Sequence, residues 1–483
     1  MNIFEWAFWG AIVAVVNFAL ASAVTIHAVI RKRDSRAVVG WVGLVWLAPF
    51  LGSFAYLCLG INRIERKATS LKLRDSWQPD REPELNTVDR RQLEEFGLQY
   101  PSLIGLGNAG RQLTGLPILP GNRVELLIDG DQAYPAMIEA IGKAERSVSL
   151  LSYIFDSDRV GEAFLDALTV AKKRGVEVRV LIDDVGSKYS HPNMVNRLKA
   201  HGLTAASFLP TRIPRLPQYS NLRNHRKILV VDGKTGFTGG TNIREGHYLA
   251  LKPAQPVQCL HFRIHGPVVS HLQNVFANDW AFATGESISG DRWFPENRRA
   301  GPVWARAIEH GPDEHFERLT DVIATALACA RKSVRIVTPY FLPNASLIQS
   351  LNVAAMRGVD VDIYLPSKCN IALVQWATTA QLWQVLGKGC RVHYTSPPFD
   401  HTKLMIVDDI WTLIGSTNWD PRSLRLNFEF NVECFDLHLA GLLNEIVDSK
   451  AKSSRPVTLE EVNGRPFLIQ LRDGLAHLLS PFL

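Results

Sequence analysis

The sequence predicts an α/β protein in which two similar lobes follow an apolar N-terminal hairpin. Three observations predict this fold class. Two long apolar segments open the chain, helical and β-branched segments alternate through the rest, and one motif occurs twice in matching context. The composition excludes a disordered or collagen-like chain, because 46% of the 483 residues are hydrophobic and 21% are charged.

The first element is a predicted transmembrane hairpin at residues 1–61, with spans at about 3–30 and 37–61. As a helix, each segment is long enough to cross about 30 Å of hydrocarbon. A cleaved signal peptide is the alternative for the first segment, but no basic side chain precedes it and a second apolar segment follows at once. Basic residues flank both ends of the second span, so the charge pattern selects no orientation.

The rest of the chain is predicted to contain a connector at residues 62–118 and two α/β lobes at 119–290 and 303–483. Residues 284–302, which are rich in Gly, Pro and Arg, separate the lobes. Two pairs of segments repeat between the lobes: 146–155 resembles 332–341, and 173–180 resembles 356–363. Each pair alternates helix with β-branched strand, which is typical of a sheet covered by helices.

The repeat is strictest in a motif of the form His-x-Lys-x4-Asp, which is followed ten residues later by Asn. The copies consist of His225, Lys227, Asp232 and Asn242 in the first lobe, and of His401, Lys403, Asp408 and Asn418 in the second. One copy alone would be weak evidence, because a His and a Lys on a solvated edge strand give the same pattern. Two copies with identical spacing favour a functional site.

The spacing of the motif indicates phosphate chemistry. Strand side chains alternate, so a His and a Lys two residues apart face the same side. A lysine ammonium supplies charge and hydrogen bonds to phosphoryl oxygens, while an imidazole acts as nucleophile or proton donor. The Asp has the opposite parity, and we expect it to hold local structure rather than to transfer protons. The Asn side chain can donate to a phosphoryl oxygen.

The doubled motif resembles the phospholipase D superfamily, and the similarity narrows to bacterial cardiolipin synthases over nearly the whole chain. The similar segments are residues 35–60 in the hairpin, 153–158 in the first lobe, 420–429 after the second motif, and 479–483. The resemblance implies two phospholipase D-like α-β-α lobes that meet around one site with pseudo-twofold symmetry. It also implies that His225 attacks the phosphorus and that His401 protonates the leaving alcohol, with no metal and no cofactor.

The predicted site combines six catalytic residues with four substrate-binding residues. The catalytic residues are His225, Lys227, Asp232, His401, Lys403 and Asp408, and the substrate-binding residues are Asn242, Ser416, Asn418 and Glu429. By the same resemblance, Glu429 orients His225 much as the acid of a catalytic triad orients its histidine. The six cysteines include no C-x-x-C pair, so the sequence predicts neither a zinc site nor a disulfide framework.

The first lobe departs from the family pattern at three positions. Pro253 stands at the offset that Glu429 has in the second lobe. Cys259 stands where relatives tend to carry an acid, and Gly240 replaces the hydroxyl residue of the second copy. These departures predict that His401 lacks an orienting carboxylate or uses a different partner.

Several other residues near the motifs are interpreted as structural. Tyr153, Tyr340, Trp376 and Trp383 are expected in the core rather than in a lipid-binding cradle, and His261 and His265 are expected to make structural or headgroup contacts.

The resemblance implies a transferase that moves a phosphatidyl group from one phosphatidylglycerol to another and releases glycerol. Its expected partners are phosphatidylglycerol and anionic membrane lipid, and its expected location is the bacterial inner membrane as a multi-pass protein. The alternatives are a hydrolytic phospholipase D, a nuclease of the same superfamily and a non-enzymatic membrane scaffold. A nuclease is disfavoured because the net charge of +6 is modest for nucleic-acid binding. The sequence gives no prediction of oligomeric state.

Overall fold

The computed structural model describes residues 3–32, 35–60, 82–210, 222–312 and 317–480. The chain divides into two compact units, one formed by residues 1–72 and 211–221 and the other by residues 73–210 and 222–483. The first unit holds the apolar hairpin segments, and the second holds both lobes.

The N-terminal unit contains one long helix that packs against a broken second segment. Its helices are α1 (Ile3–Arg31), α2 (Ser35–Leu47) and α3 (Pro49–Ala55), followed by a π-helical turn at Tyr56–Gly60. The contact between them is built on small and aromatic side chains, because Ala21 and Ala28 of α1 are buried with Val45 and Tyr56. The His27 ring and the Tyr56 hydroxyl form a hydrogen bond of 2.8 Å across this contact.

The prediction of two continuous spans is only partly confirmed. Within the described residues, Phe8–Arg31 is the one helix that is long and apolar enough to cross a membrane. The second predicted span, 37–61, breaks at Ala48 and Pro49, where Ala48 has an extended φ of −140°. Proline lacks the N–H that a continuous helix would use, so α2 ends before it and α3 starts on it. Residue 61 lies outside the described residues.

Two helices of the predicted connector precede the lobes, α4 (Glu82–Gln99) and α5 (Ile104–Thr114). They pack on the second lobe through a buried ion pair, in which Arg306 and Glu433 are both fully buried. The Arg306 Nη1 also donates to the carbonyl of Gly107 in α5 at 3.1 Å. A side chain on Gly110 would collide with the Arg306 guanidinium, so a glycine at this position lets α5 approach closely.

Within its described residues, the first lobe contains nine strands and four α-helices. The strands are β1 (Leu119–Ile128), β2 (Ser147–Ser152), β3 (Glu177–Asp183), β4 (Thr204–Phe208), β5 (Arg223–Asn224), β6 (Ile228–Val231), β7 (Thr235–Gly239), β8 (Val257–Gln258) and β9 (Leu260–His265). The helices are α6 (Asp129–Gly142), α7 (Arg159–Lys173), α8 (Met194–Ala200) and α9 (Val269–Thr284).

The second lobe repeats this order and adds helices at its end. The strands are β10 (Val303–His310), β11 (Ser333–Val337), β12 (Asp360–Pro366), β13 (Arg391–Thr395), β14 (Phe399–Asp400), β15 (Leu404–Val407), β16 (Trp411–Gly415), β17 (Asn427–Phe435) and β18 (Arg455–Val457). The helices are α10 (Arg318–Cys329), α11 (Ala345–Met356), α12 (Ala372–Gln381), α13 (Trp383–Leu386), α14 (Pro421–Arg425), α15 (Leu437–Lys452), α16 (Leu459–Asn463) and α17 (Phe467–Leu478).

The two lobes share one continuous sheet. Its order is β18-β13-β12-β11-β15-β16-β17-β10-β1-β9-β7-β6-β2-β3-β4, with β5 paired to β17. The antiparallel pairing of β1 with β10 lies at the centre, and the strand order on one side mirrors the order on the other. Each lobe contains a strand–helix–strand unit whose two strands pair in parallel, β2 with β3 in the first lobe and β11 with β12 in the second. The chain therefore has the pseudo-twofold arrangement of its internal repeat.

Each lobe also contributes a short strand to the other. The two-residue strand β5 of the first lobe pairs in parallel with β17 of the second, and β14 of the second lobe pairs in parallel with β8 of the first. Since β5 and β14 directly precede the two motif histidines, these pairings carry each motif across the junction between the lobes.

Candidate active site

The two motif histidines lie together at the junction between the lobes. The backbone N–H of His225 donates to the Phe428 carbonyl at 2.9 Å, and that of His401 donates to the Gln258 carbonyl at 2.8 Å. Each histidine is thereby anchored to the opposite lobe. The centroids of the two imidazole rings are 6.4 Å apart, and the ring planes are nearly perpendicular. This gap can hold a tetrahedral phosphate between the two rings.

A buried carboxylate supports the first histidine. Both oxygens of Glu429 lie close to His225 Nδ1, at 3.0 and 3.1 Å. The carboxylate also accepts hydrogen bonds from the Ser416 hydroxyl at 2.5 Å and from the Asn427 amide at 3.1 Å. A carboxylate only accepts when it is ionised, so the His225 Nδ1 carries the shared proton and Nε2 is the nitrogen left for chemistry.

The electrostatics of this pair favour a neutral imidazole beside a charged carboxylate. Burial lowers the pKa of His225 to about 4, although Glu429 opposes this shift. Burial alone would raise the pKa of the Glu429 carboxyl, but His225 and Lys227 outweigh it and hold that pKa below its usual value. At neutral pH the site without substrate therefore has a nucleophilic imidazole oriented by an anion.

Two buried lysines lie beside the histidines. The Lys227 ammonium donates to the His225 carbonyl at 2.6 Å, and the Lys403 ammonium donates to the His401 carbonyl at 2.7 Å. Burial lowers the pKa of Lys227 to about 7 and that of Lys403 to about 8. Buried ammonium groups with such depressed pKa values gain strongly from a bound anion, so the site is electrostatically prepared for a phosphodiester.

The two motif asparagines are also buried and keep donor or acceptor capacity. The Asn242 side-chain oxygen accepts from the backbone N–H of Ile154 at 3.3 Å, which directs its NH₂ group elsewhere. The Asn418 NH₂ group donates to the Ser423 hydroxyl at 3.2 Å. Ser416, predicted to bind substrate, donates to Glu429, and Glu429 itself contacts His225. The structure thus places both of these residues behind the His225 ring.

The motif aspartates lie away from the histidines, directly after the far ends of β6 and β15. The carboxylate of Asp232 accepts hydrogen bonds from the backbone N–H groups of residues 145–147, and that of Asp408 accepts from residues 331–333. These contacts fix the turn that leads into β2 or β11. Both residues are in the left-handed region, with φ of 53°. Both aspartates are among the six predicted catalytic residues, but their contacts are with the backbone turns that support the site.

Sequence comparison agrees with this geometry. The model of the family described as "Cardiolipin synthase, PLD-like domain" matches residues 137–280 and 323–450, which contain both motifs. The chain is 31% identical to the major cardiolipin synthase ClsA of Bacillus subtilis over 97% of this chain and 98% of that protein. It is 29% identical to a cardiolipin synthase of Listeria monocytogenes over 98% of both chains.

The chain belongs to the cardiolipin synthase family with phospholipase D-like domains. The fold has a relative of known structure in the phosphatidylserine synthase of Haemophilus influenzae. That structure aligns with a TM-score of 0.61 and 17% identity over 78% of this chain and all of the other. At this identity the comparison supports the shared fold alone.

This cardiolipin synthase family member is asymmetric at its two histidines. Strand register makes Cys259, which directly precedes β9, the counterpart of Glu429 in β17, since Gly239 is opposite His261 as Gly415 is opposite Asn431. No carboxylate within the described residues hydrogen-bonds His401. Its Nδ1 instead lies 3.1 Å from the Gly240 carbonyl, and a carbonyl only accepts, so this nitrogen carries a proton.

The Cys259 thiol occupies the space that a side chain at position 240 would need. A Cβ on Gly240 would lie 2.5 Å from the Cys259 sulfur and 3.0 Å from the His401 carbonyl. The Ser–Glu pair of the second lobe is therefore replaced in the first by a Gly–Cys pair that packs closely and carries no charge at neutral pH, because burial raises the pKa of the Cys259 thiol to about 11. Pro253 stands at the same distance along the chain from its motif as Glu429 does, but it is not the structural counterpart of Glu429. Strand register gives that position to Cys259.

Sequence reasoning missed one histidine and misjudged two aromatic residues. His247 is buried, and the centroid of its ring is 5.9 Å from that of His401. No sequence signal marks it, because it lies on an irregular 3₁₀ turn beyond the motif. Tyr153, predicted as core, contacts the site, with its ring 5.0 Å from that of His225. The core prediction for Trp383 is wrong, since this side chain is 53% exposed.

His261 fits the structural interpretation better. It lies on β9 with both ring nitrogens buried and without a hydrogen-bond partner, and burial lowers its pKa to about 3. Across the described residues, no group of three or more His, Cys, Asp or Glu side chains is arranged to hold a metal ion.

Proposed function

We propose that the chain is a phosphatidyltransferase that joins two phosphatidylglycerol molecules into cardiolipin and releases glycerol. The observation that carries the proposal is the pair of motif histidines from opposite lobes, 6.4 Å apart, with Glu429 behind one of them. The names of the relatives support the same activity, because the chain matches cardiolipin synthases over almost all of its length.

The first half of the proposed reaction breaks one phosphodiester bond. His225 Nε2 supplies its lone pair to the phosphorus and forms a P–N bond, while the bond from phosphorus to the glycerol oxygen breaks. His401 Nε2 gives its proton to that oxygen, and glycerol leaves. Burial, with Lys403 and His247 nearby, holds the pKa of His401 well below its usual value. The anionic phosphodiester opposes this shift and favours the protonated form that the step requires.

The second half forms the new ester. The free glycerol hydroxyl of a second phosphatidylglycerol gives its proton to His401 Nε2, and its oxygen attacks the phosphorus as the P–N bond breaks. His225 returns to its neutral state and cardiolipin is released. Lys227 and Lys403 hold the phosphoryl oxygens through both halves, and Asn242 and Asn418 donate further hydrogen bonds to them. Each step uses only side chains of the two motifs.

The activity can be tested on the full chain in vesicles of phosphatidylglycerol by mass spectrometry of the lipids. We expect cardiolipin and glycerol in equal amounts, and loss of both products in His225→Ala and in His401→Ala. The matched control is His438→Ala, which removes an exposed imidazole from α15. Phosphatidic acid without cardiolipin would identify a hydrolase instead, and unchanged product in both motif variants would exclude catalysis by these residues.

The order of the two histidines has its own test. In His401→Ala, a radiolabelled phosphatidyl ester of p-nitrophenol should leave an acid-labile phosphatidyl group on the protein, because nitrophenolate leaves without the proton that His401 gives to glycerol. The same label in His225→Ala, and none in His401→Ala, would reverse the two roles.

We also propose that residues 35–60 complete a membrane hairpin with α1, as a helix that is kinked at Pro49. The support is that residues 37–60 carry no charge and that this segment packs along α1. A bacterial inner membrane location follows from the proposed substrate and these spans. Reporter fusions after residue 33 and after residue 72 should report opposite sides of the membrane, and equal sides would exclude the second span.

A further inference from the structure

The last helix, α17, turns an apolar face outward. Six large apolar side chains on it, or directly after it, are between 47% and 75% exposed. They are Phe467, Leu468, Leu471, Leu475, Leu478 and Leu479, and together they are called the apolar face. Spacings of three and four residues place them along one side of the helix. Contiguous exposed apolar surface of this kind marks an interaction site.

The orientation of α17 is fixed by its other side. Asp473 and Ala476 are almost fully buried, and Asp473 forms ion pairs with both Arg465 and Arg472. The Arg472 guanidinium also lies over the Trp376 ring of α12, 4.4 Å from its centroid. Because these contacts hold the polar and small residues inward, the apolar face is outside as a consequence of the packing.

The helix that carries the apolar face is packed close to the active site. Ala476 belongs to a small buried cluster with Leu342, against which Tyr340 packs. The Tyr340 ring is 6.4 Å from that of Phe399, and the Phe399 ring is 6.1 Å from that of His401. A short series of packed side chains therefore connects the helix that carries the apolar face to the histidines.

A tryptophan borders the same surface. The exposed Trp383 of α13 lines a groove with Arg465, Gln470 and Gly474. Tryptophan is enriched at the boundary between lipid and water, where its ring suits both environments. A leucine-rich helical face beside such a tryptophan is typical of a helix that lies in the plane of a membrane surface.

We propose that the apolar face of α17 lies in the headgroup layer of the bilayer, as a membrane contact in addition to that of the N-terminal helix. The proposal rests on the proposed function, because phosphatidylglycerol presents its phosphate at that layer. A site that takes both substrates from the bilayer must lie close to the membrane surface, and the packed side chains of Tyr340 and Phe399 connect α17 to the histidines. The apolar face would then insert among acyl chains while the phosphate reaches the histidines.

Photo-crosslinking on the full chain tests the contact without requiring activity. A benzophenone side chain replaces Leu471 or Leu475, and the protein is placed in vesicles of phosphatidylglycerol and phosphatidylethanolamine. Light should give protein carrying the mass of one lipid. The matched control is Met356, which is 59% exposed at the end of α11 and does not belong to the apolar face. Crosslinked dimers, or equal lipid labelling at Met356, would overturn the proposal.

A kinetic experiment separates membrane contact from folding and from chemistry. We expect Leu471→Glu/Leu475→Glu to lower cardiolipin formation from vesicles by about tenfold or more, because charged side chains are excluded from the acyl region. Turnover of short-chain phosphatidylglycerol below its critical micelle concentration should stay within about twofold of the parent, since the site is intact. Met356→Glu should change neither rate.

Equal loss on both substrates would overturn the membrane contact, because the substitution would then act on the fold or the site. If the parent chain makes no cardiolipin from either substrate, the proposed function fails while the crosslinking result still decides the contact.

Discussion

Replacement of Glu429 by glutamine tests how the carboxylate acts on the proposed nucleophile. Glu429 is fully buried and lies 3.0 Å from His225 Nδ1. Glutamine keeps the shape of the side chain but removes the negative charge, and it offers one oxygen where the carboxylate has two. The Ser416 hydroxyl and the Asn427 amide both donate to the present carboxylate, so an amide cannot satisfy all three partners.

The expected magnitude follows from the one charge-assisted contact that reaches the nucleophile. A hydrogen bond to a charged group contributes about 1.5–3 kcal/mol. With a tenfold change in rate for about every 1.4 kcal/mol, Glu429→Gln should lower kcat by about 10- to 150-fold. KM should change little, because Glu429 stands behind the imidazole and contacts His225 rather than the phosphodiester.

The assay is cardiolipin formation at saturating and at limiting phosphatidylglycerol, with thermal unfolding of the same samples. The matched control is Cys259→Ser at the counterpart position of the first lobe, where the thiol contacts the His401 carbonyl and not its ring. We expect this control to stay within about threefold of the parent. Wild-type kcat in Glu429→Gln, or equal losses in the two variants, would refute a specific role for the carboxylate on His225.

Three further predictions follow from the described contacts. The pKa values of Lys227 and Lys403 are about 7 and about 8, and only a charged ammonium attracts the phosphodiester. The affinity for phosphatidylglycerol should therefore be full below these pH values and fall as the pH rises through them. The measurement is KM, which should rise between about pH 6 and 9. Asp232→Ala leaves three backbone N–H groups without an acceptor and should destabilise the fold by roughly 1–3 kcal/mol, measured by chemical unfolding, with KM unchanged in the folded fraction. Arg306→Met leaves Glu433 buried without its partner and should cost about 3–5 kcal/mol, which a double replacement that also removes the Glu433 charge should largely restore.

The sequence determined which residues form the candidate site because the motif that supplies them is repeated. Two copies of one motif at equal spacing identify His225 and His401 with their lysines, and the alternation of strand side chains predicts that each His and Lys share a side. Opposite parity also predicted that the motif aspartates would serve the framework, and the structure shows backbone contacts for Asp232. These features depend only on the spacing of residues along the chain, which can be read directly from the sequence.

Only the tertiary structure decided which residues of the two lobes come together at the site. The cross-lobe pairing of β5 with β17 and of β14 with β8 brings the histidines together, and no local pattern marks a two-residue strand. Register, rather than offset along the chain, makes Cys259 the counterpart of Glu429, because an insertion between motif and strand changes the count but not the pairing.

The same limit applies to burial. In α17, the ion pairs of Asp473 decide which side of the helix faces in and leave the leucines outside. His247 reaches His401 from an irregular turn that no periodicity describes. Spacing along the chain determines which side chains share an element, whereas their neighbours in space depend on contacts between residues far apart in sequence.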